Sequence, residues 1–330
     1  MMIAVTARAH TNIALIKYWG KADAALMLPA NSSVSLTLDQ FYTDTRVAFS
    51  PQLTADTFSL DGVLQTGAAV AKVSRFLDHV RDMADMDLRA QVQSVNHVPT
   101  AAGLASSASA YAAMALAASR AAGLQLDHPA LTRLARRGSG SASRSIDGGC
   151  VIWHRGIDDE SSFAEPIAVN PALDLRMIAI VINHHAKKVS SRAGMAETVA
   201  TSPFFPAWAQ TAEANSQEMV AALAGDDFKL VGELAERSAL MMHATTLAAN
   251  PPFTYFQPGT LAALQLVQTM RAQGLPAYTT IDAGPNVKVL TTAEYVDAVA
   301  DQLARHLDNP ITICAPGPAA RVLQEETVDD

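Results

Sequence analysis

The stretch "VPTAAGLASSASAYAAMA", residues 98 to 115, sets a proline and a run of small residues in front of two serines and an alanine-rich segment. Gly103 permits backbone angles closed to other residues, and small side chains let a phosphate come close to backbone N–H groups. Ser106 and Ser107 open a helix whose free N–H groups and positive end suit an anion. The same residues also read as an ordinary serine cap on a packed helix. Four further stretches bear on that choice. "HTNIALIKYWGK" carries Lys17 and Lys21 around an aromatic pair, and "GSGSASRSIDGG" sets Ser141 and Arg144 in a loop too rich in Gly and Ser to be core. "KKVSSRAGM" gathers Lys187, Lys188, Ser190, Ser191 and Arg192, and "TTIDAGPNVKVL" puts Asp282 between a strand and a Gly-Pro turn. Each alone reads equally as a solvated loop. Together they supply cations, hydroxyls and one carboxylate, which suits a substrate bearing phosphates and a carboxylate.

Other chemistries are excluded by their missing signatures. There is no G-x-x-x-x-G-K-[ST] phosphate loop, no H-E-x-x-H, no paired C-x-x-C and no G-x-S-x-G elbow. "GSGSAS" at 138–143 follows a helix and lacks the last glycine of a dinucleotide fingerprint. A protein-held metal is not expected. His184 and His185 are adjacent, so on a strand they would point opposite ways. His243 reads as packing, and Trp19 as either site wall or core.

The elements that must position these residues follow from periodicity. "IAVTARA", "SSVSLTL", "TDTRVAFS" and a "FSLDGVLQ" hairpin turning at Asp61-Gly62 read as strands. "GAAVAKVSRFLDHVRDM" has helical period, "LRAQVQSV" alternates as a strand, and a helix from Ser106 to Ala122 ends at Gly123. "GGCVIWH" and "LRMIAIVI" read as strands. Helices follow from about Phe204 to Ala224, from Asp227 to Leu247 and over "PGTLAALQLVQTMRAQ". A β-β-α-β run closes the chain, which favours α+β over a doubly wound sheet. With 330 residues and 49% hydrophobic composition, two domains are expected, 1–183 and 184–330. The formal charge of −8 argues against nucleic acid as a partner. No run of about 18 apolar residues predicts a membrane span, no secretory signal opens the chain, and two cysteines suit a reducing cytoplasm.

"NIALIKYWGK", "PTAAGLASSAS", "GSGSASRS", "SSRAGM" and "DAGPN" together resemble, in order, the signatures of the diphosphomevalonate decarboxylases of the GHMP kinase superfamily. They span Asn12 to Asn286. Cys150 departs from the pattern, where an aromatic residue would follow "GG". The resemblance implies a ribosomal-protein-S5-like N-terminal domain that binds ATP, a ferredoxin-like C-terminal domain, and a cytoplasmic homodimer. It implies ATP with Mg2+ as co-substrate and mevalonate 5-diphosphate as substrate. The products would be isopentenyl diphosphate, ADP, phosphate and CO2, formed through a 3-phosphorylated intermediate. By the same resemblance Asp282, Lys17 and Arg144 are catalytic, with Arg144 on the substrate carboxylate. Tyr18, Lys21, Ser141, Ser191 and Arg192 would bind the substrate. Ala102, Gly103, Leu104, Ala105, Ser106, Ser107 and Ala108 would cradle the ATP phosphates, with Ser94 and Asn96 beside the nucleotide. Three alternatives stay open: a decarboxylase of mevalonate 5-phosphate, a kinase that stops at phosphorylation, and a non-catalytic nucleotide-binding protein on the same scaffold.

Overall fold

The computed structural model describes residues 2–97, 106–183 and 188–328. The first body contains β1 (Met2–Ile16), β2 (Lys21–Asp23), β3 (Leu28–Pro29), β4 (Ser33–Ser50), β5 (Thr57–Leu60), β6 (Val63–Leu64), α1 (Ala68–Ala84), β7 (Arg89–His97), α2 (Ser106–Ala121), α3 (His128–Gly138), a 3-10 turn (Gly140–Ser145), β8 (Cys150–Trp153) and β9 (Ala164–Pro166). The second contains β10 (Leu175–Ile180), α4 (Ser191–Thr201), α5 (Phe205–Ala224), α6 (Phe228–Leu247), α7 (Pro258–Ala272), β11 (Tyr278–Ile281), β12 (Val287–Thr292), α8 (Val296–His306) and β13 (Ile311–Cys314). A last strand, β14 (Arg321–Val328), returns to the first body and pairs antiparallel with β1. The α+β class anticipated from the sequence holds.

The large sheet runs β14-β1-β4-β7-β5-β6, with β8 joined to β4 and β9 to β8. The small sheet runs β11-β12-β10-β13. "SSVSLTL" and "TDTRVAFS", read as two strands, are one: β4 crosses the whole sheet, paired to β1 on one side and to β8 and then β7 on the other. The "DG" hairpin forms as anticipated, with Asp61 at φ 51° and Gly62 at φ 80°, the left-handed angles a two-residue turn requires. The division expected at 183/184 does not coincide with the sheets. β10 lies before it yet is a central strand of the second sheet, and β14 lies beyond it yet belongs to the first. The reason is edge protection: without β14, β1 would expose a row of unpaired backbone groups.

Three cores tie these layers together. α1, α2 and α3 cover one face of the large sheet, where Ala112, Ala113, Ala115, Ala117 and Ala118 let α2 sit close against the strands. α7 and α8 cover the outer face of the small sheet through Val267, Val299 and Leu303. Between the sheets lies a shared core: Ile13, Leu15, Ile16, Leu36 and Leu38 from the first body with Met177, Ala179 and Leu290 from the second, closed by Met219 and Leu223 of α5 and Leu234 of α6. The end of β1 and the loop after β11 both open onto one edge of this shared layer, and the site forms there.

Candidate active site

Lys17 follows directly on β1, where its main chain is pinned on both sides. Its N–H donates to Ser238 Oγ of α6 at 3.0 Å, and its carbonyl accepts from Asn31 Nδ2 at 2.9 Å. The residue is 1% exposed. The ammonium donates to the Ala14 carbonyl at 2.8 Å and to Asp282 Oδ1 at 2.7 Å. Asp282 follows β11 and opens the turn whose end is anchored elsewhere: Asn286 Oδ1 accepts from the N–H groups of Ile182 and Asn183, and Thr260 Oγ1 donates to the Pro285 carbonyl. A second lysine, Lys288 of β12, reaches Asp282 Oδ2 at 3.0 Å. Burial works to raise the Asp282 carboxyl, and the charges of Lys17 and Lys288 overcome it, holding the group well below the usual carboxylate range. Lys17 itself is pushed down to about 8, by burial first, against the opposing pull of Asp282 and with the help of Lys288 and Arg144.

Lys17 and Asp282 border a cavity of about 400 Å³. Of the sequence-predicted site residues, it is lined by Lys17, Tyr18, Lys21, Ser107, Ala108, Ser141, Arg144, Ser191, Arg192 and Asp282. Residues drawn from five separate stretches of sequence thus meet on one surface. Asp282 is the single carboxylate among the described lining residues. Arg144, in the 3-10 turn after α3, is 2% exposed. Its Nη1 donates to Ser33 Oγ and its Nε to Asn12 Oδ1 at 3.4 Å, and its guanidinium lies 5.8 Å from the Trp153 ring centre. None of the ion pairs among the described residues involves Arg144, and burial lowers it to about 10. A buried cation without a carboxylate is costly until an anion arrives. Ser191 and Arg192 form the first turn of α4, capped by Ser190, whose Oγ accepts from the Ala193 N–H. Burial raises the Tyr18 hydroxyl to about 12, so the phenol keeps its proton and can donate.

Two sequence-predicted nucleotide residues stand apart. Ser94 is buried in β7 and its hydroxyl bonds Thr45 Oγ1 at 2.9 Å. The Asn96 N–H donates to Asp61 at 2.7 Å, and its side chain accepts from Thr43. Both serve the sheet, and neither lines the cavity. Ala102, Gly103, Leu104, Ala105, Lys187, His184 and His185 lie outside the described residues. Ser106 begins α2. Lys188 is exposed. Trp19 resolves both of its readings: it is 2% exposed, packed edge-on to Tyr255, and also part of the cavity wall. His243 is buried beside the Phe256 ring and pushed down to about 4 by burial, so it is a neutral group behind the site. Cys150 is buried in the shared core, its thiol raised to about 12.

Sequence reasoning missed Lys72, Asn12 and Lys288. Lys72 of α1 lines the cavity with its ammonium 4.6 Å from the Tyr111 ring centre. A lone lysine in "AVAKVSRF" reads as a solvated helix face, and nothing local betrays it. Asn12 bridges the Ser141 carbonyl and Ser145 Oγ, at 2.9 and 2.7 Å, which ties β1 to the loop bearing Arg144. Lys288 does carry a signal: an internal lysine in the apolar strand "VKVL" must face something that welcomes charge.

A cavity that joins one carboxylate to several cations suits an anionic substrate and a phosphoryl donor, and comparison with known proteins points the same way. Residues 9–164 match the diphosphomevalonate decarboxylase-like N-terminal domain, and residues 177–318 match the mevalonate 5-diphosphate decarboxylase C-terminal domain. Diphosphomevalonate decarboxylase of Rattus norvegicus is 38% identical over 323 residues, covering 89% of this chain and 79% of that protein. Phosphomevalonate decarboxylase of Haloferax volcanii is 32% identical over 300 residues, covering 91% of each. A solved structure of MDDEF in complex with MVAPP, AMPPCP and magnesium is 49% identical, with a TM-score of 0.94 over 98% of this chain and 100% of that one. With matches that run through both bodies, this chain belongs to the diphosphomevalonate decarboxylase family.

Proposed function

We propose that this chain converts mevalonate 5-diphosphate and ATP into isopentenyl diphosphate, ADP, phosphate and CO2. The observation that carries the reading is the Asp282 carboxylate, open to the cavity and held at 2.7 Å by buried Lys17, with the anion-hungry Arg144 on the same surface. The C3 hydroxyl of the substrate is tertiary and a poor leaving group until it is phosphorylated. Asp282 orients that hydroxyl and accepts its proton as the oxygen takes the γ-phosphoryl group of ATP. Lys17 keeps Asp282 ionised and steadies the charge that develops on the oxygens. Magnesium, which the related complex with MVAPP and AMPPCP also contains, would accompany ATP and would shield the charge of the transferring phosphates. The C3–O bond then breaks with its electron pair leaving on phosphate. The electron pair of the bond between the carboxylate carbon and C2 then forms the C2=C3 alkene as CO2 departs. Arg144 orients the carboxylate without fully neutralising it, since a tight ion pair would oppose its loss.

Tyr18, Lys21, Ser141, Ser191 and Arg192 hold the substrate diphosphate, and Ser106, Ser107 and Ala108 at the start of α2 meet the ATP phosphates together with Ala102 to Ala105. We read the chain as two units, β1–β9 with β14 and β10–β13 with their helices, acting as a cytoplasmic homodimer. Among the described residues no helix is long and apolar enough to cross a membrane.

One observation favours a second reading: the Haloferax volcanii relative acts, by its name, on phosphomevalonate. The chemistry at C3 would be unchanged, so the Asp282 region does not discriminate. Two hydrogen-bonding groups in the first turn of α4, Ser191 and Arg192, favour the diphosphate. The test is turnover of both substrates side by side, following ADP and CO2. CO2 released with the diphosphate at higher kcat/KM supports the reading. Preference for the monophosphate replaces the substrate, and ADP without CO2 reduces the activity to that of a kinase.

A further inference from the structure

β12 sends alternate side chains to opposite faces of its sheet. Val287 and Val289 enter the core beneath α7 and α8, whereas Leu290 enters the core shared with the first body. Lys288 therefore points, like Leu290, into the layer between the two bodies, where it is 1% exposed. It pairs across the sheet with Thr280 and Ala179, neither of which offers a charge. Its ammonium contacts Asp282 Oδ2 at 3.0 Å and the Asn286 carbonyl at 3.3 Å. Unlike Lys17, it is not part of the cavity wall. A buried ammonium survives in such a layer only when paired and hydrogen-bonded. Lys17 holds one carboxylate oxygen of Asp282 and shares with Lys288 the work of keeping it ionised. What the second lysine adds is a grip on the other oxygen, from the other body of the protein, so that the carboxylate is fixed in rotation as well as in charge.

We propose that Lys288 is a positioning residue for the reaction: from the side away from the cavity it grips Asp282 Oδ2 and so sets the direction in which the carboxylate meets the substrate hydroxyl. This rests on Asp282 being the group that accepts the hydroxyl proton. The charged and titratable groups around the pair are Lys17 just after β1, Arg144 from the 3-10 turn and neutral His243 from α6, each coupled to Lys17 or Asp282. Removing the Lys288 charge lifts one of the influences that keep the Lys17 ammonium easy to deprotonate. The Lys17 proton should then be held more tightly.

The test is Lys288→Met, an apolar side chain of similar length, assayed with ATP and mevalonate 5-diphosphate from pH 6 to 10. The expected result is a kcat lower by roughly 10- to 100-fold, typical of a misaligned reacting group. Both KM values should stay within about threefold, which marks a loss confined to the transition state. The basic limb of kcat/KM should move to higher pH. Should the Met variant not fold, Lys288→Gln is read in the same way. A folded variant with wild-type kcat overturns the proposal. So does a lower kcat with an unmoved basic limb, the mark of a structural role alone. Asp282→Asn is run alongside. If it turns over normally, the assignment of Asp282 falls; if it is inactive while the Lys288 variant behaves as wild type, only the present proposal falls.

Discussion

Asp282 and Lys17 impose opposite demands on pH. The carboxylate is held far below its ordinary range by two ammonium groups, so it stays ionised throughout the neutral range. Lys17 is lowered to about 8, and its charged form is the one that holds Asp282 and, in the proposed mechanism, steadies the transferring oxygen. Activity should therefore be full below about pH 8 and decline above it, and a pH profile of kcat/KM, which reports the free enzyme, checks this. Stability runs the other way. Between about 8 and the ordinary lysine value, the unfolded chain binds a proton at Lys17 that the folded chain does not. The contribution of this group to stability thus rises with pH through that window. Asp282→Asn keeps the shape and removes the anion, and turnover should fall by roughly 10³-fold or more. ATP binding by calorimetry should be retained, because the nucleotide does not depend on that carboxylate.

At the scale of elements, α2 bears the clearest question. Ser107 stands in its first turn and faces the cavity. If it served only the helix, Ser107→Ala would cost about 1 kcal/mol and leave the rate alone. We expect instead that the variant lowers kcat/KM for ATP by about tenfold or more while its Tm moves by no more than about 2–4 °C. Rate and melting measured on one preparation decide between the two. Much of this layer was legible in the sequence. The "DG" turn, the Gly123 stop with φ 77° and the closing β-β-α-β run are local signals with local causes. The site loops were legible because small residues, hydroxyls and charges cluster there without apolar periodicity, although Lys17, Arg144 and the Gly140–Ser145 turn prove buried. What stayed hidden depends on distant partners. Ser94 and Asn96 look like free polar groups until β4 and the hairpin supply their hydrogen bonds. Lys72 looks solvated until Tyr111 and the cavity lie beside it. The continuity of β4 is likewise a tertiary fact, since "DQFY" between its halves carries no strand pattern of its own.

For the whole molecule, the decisive feature is the core shared by the two sheets. β1 lies in it through Ile13, Leu15 and Ile16, and Lys17 comes next in the chain, its N–H bonded to Ser238 of the second body. Thr280 Oγ1 donates back to the Ala14 carbonyl at 3.4 Å. The first body supplies Lys17 and Arg144, the second supplies Asp282 and Lys288, and one continuous apolar core joins the two beneath them. The two halves of the site are therefore welded rather than hinged. Heat has no weaker seam to open first at this place. An enzyme whose active site spans a loose joint loses function before it loses structure, leaving a dormant, still-folded species at intermediate temperatures. Here the curve of residual activity against temperature should superimpose on the calorimetric melting curve. A gap of several degrees between the two would mean that the weld yields on its own.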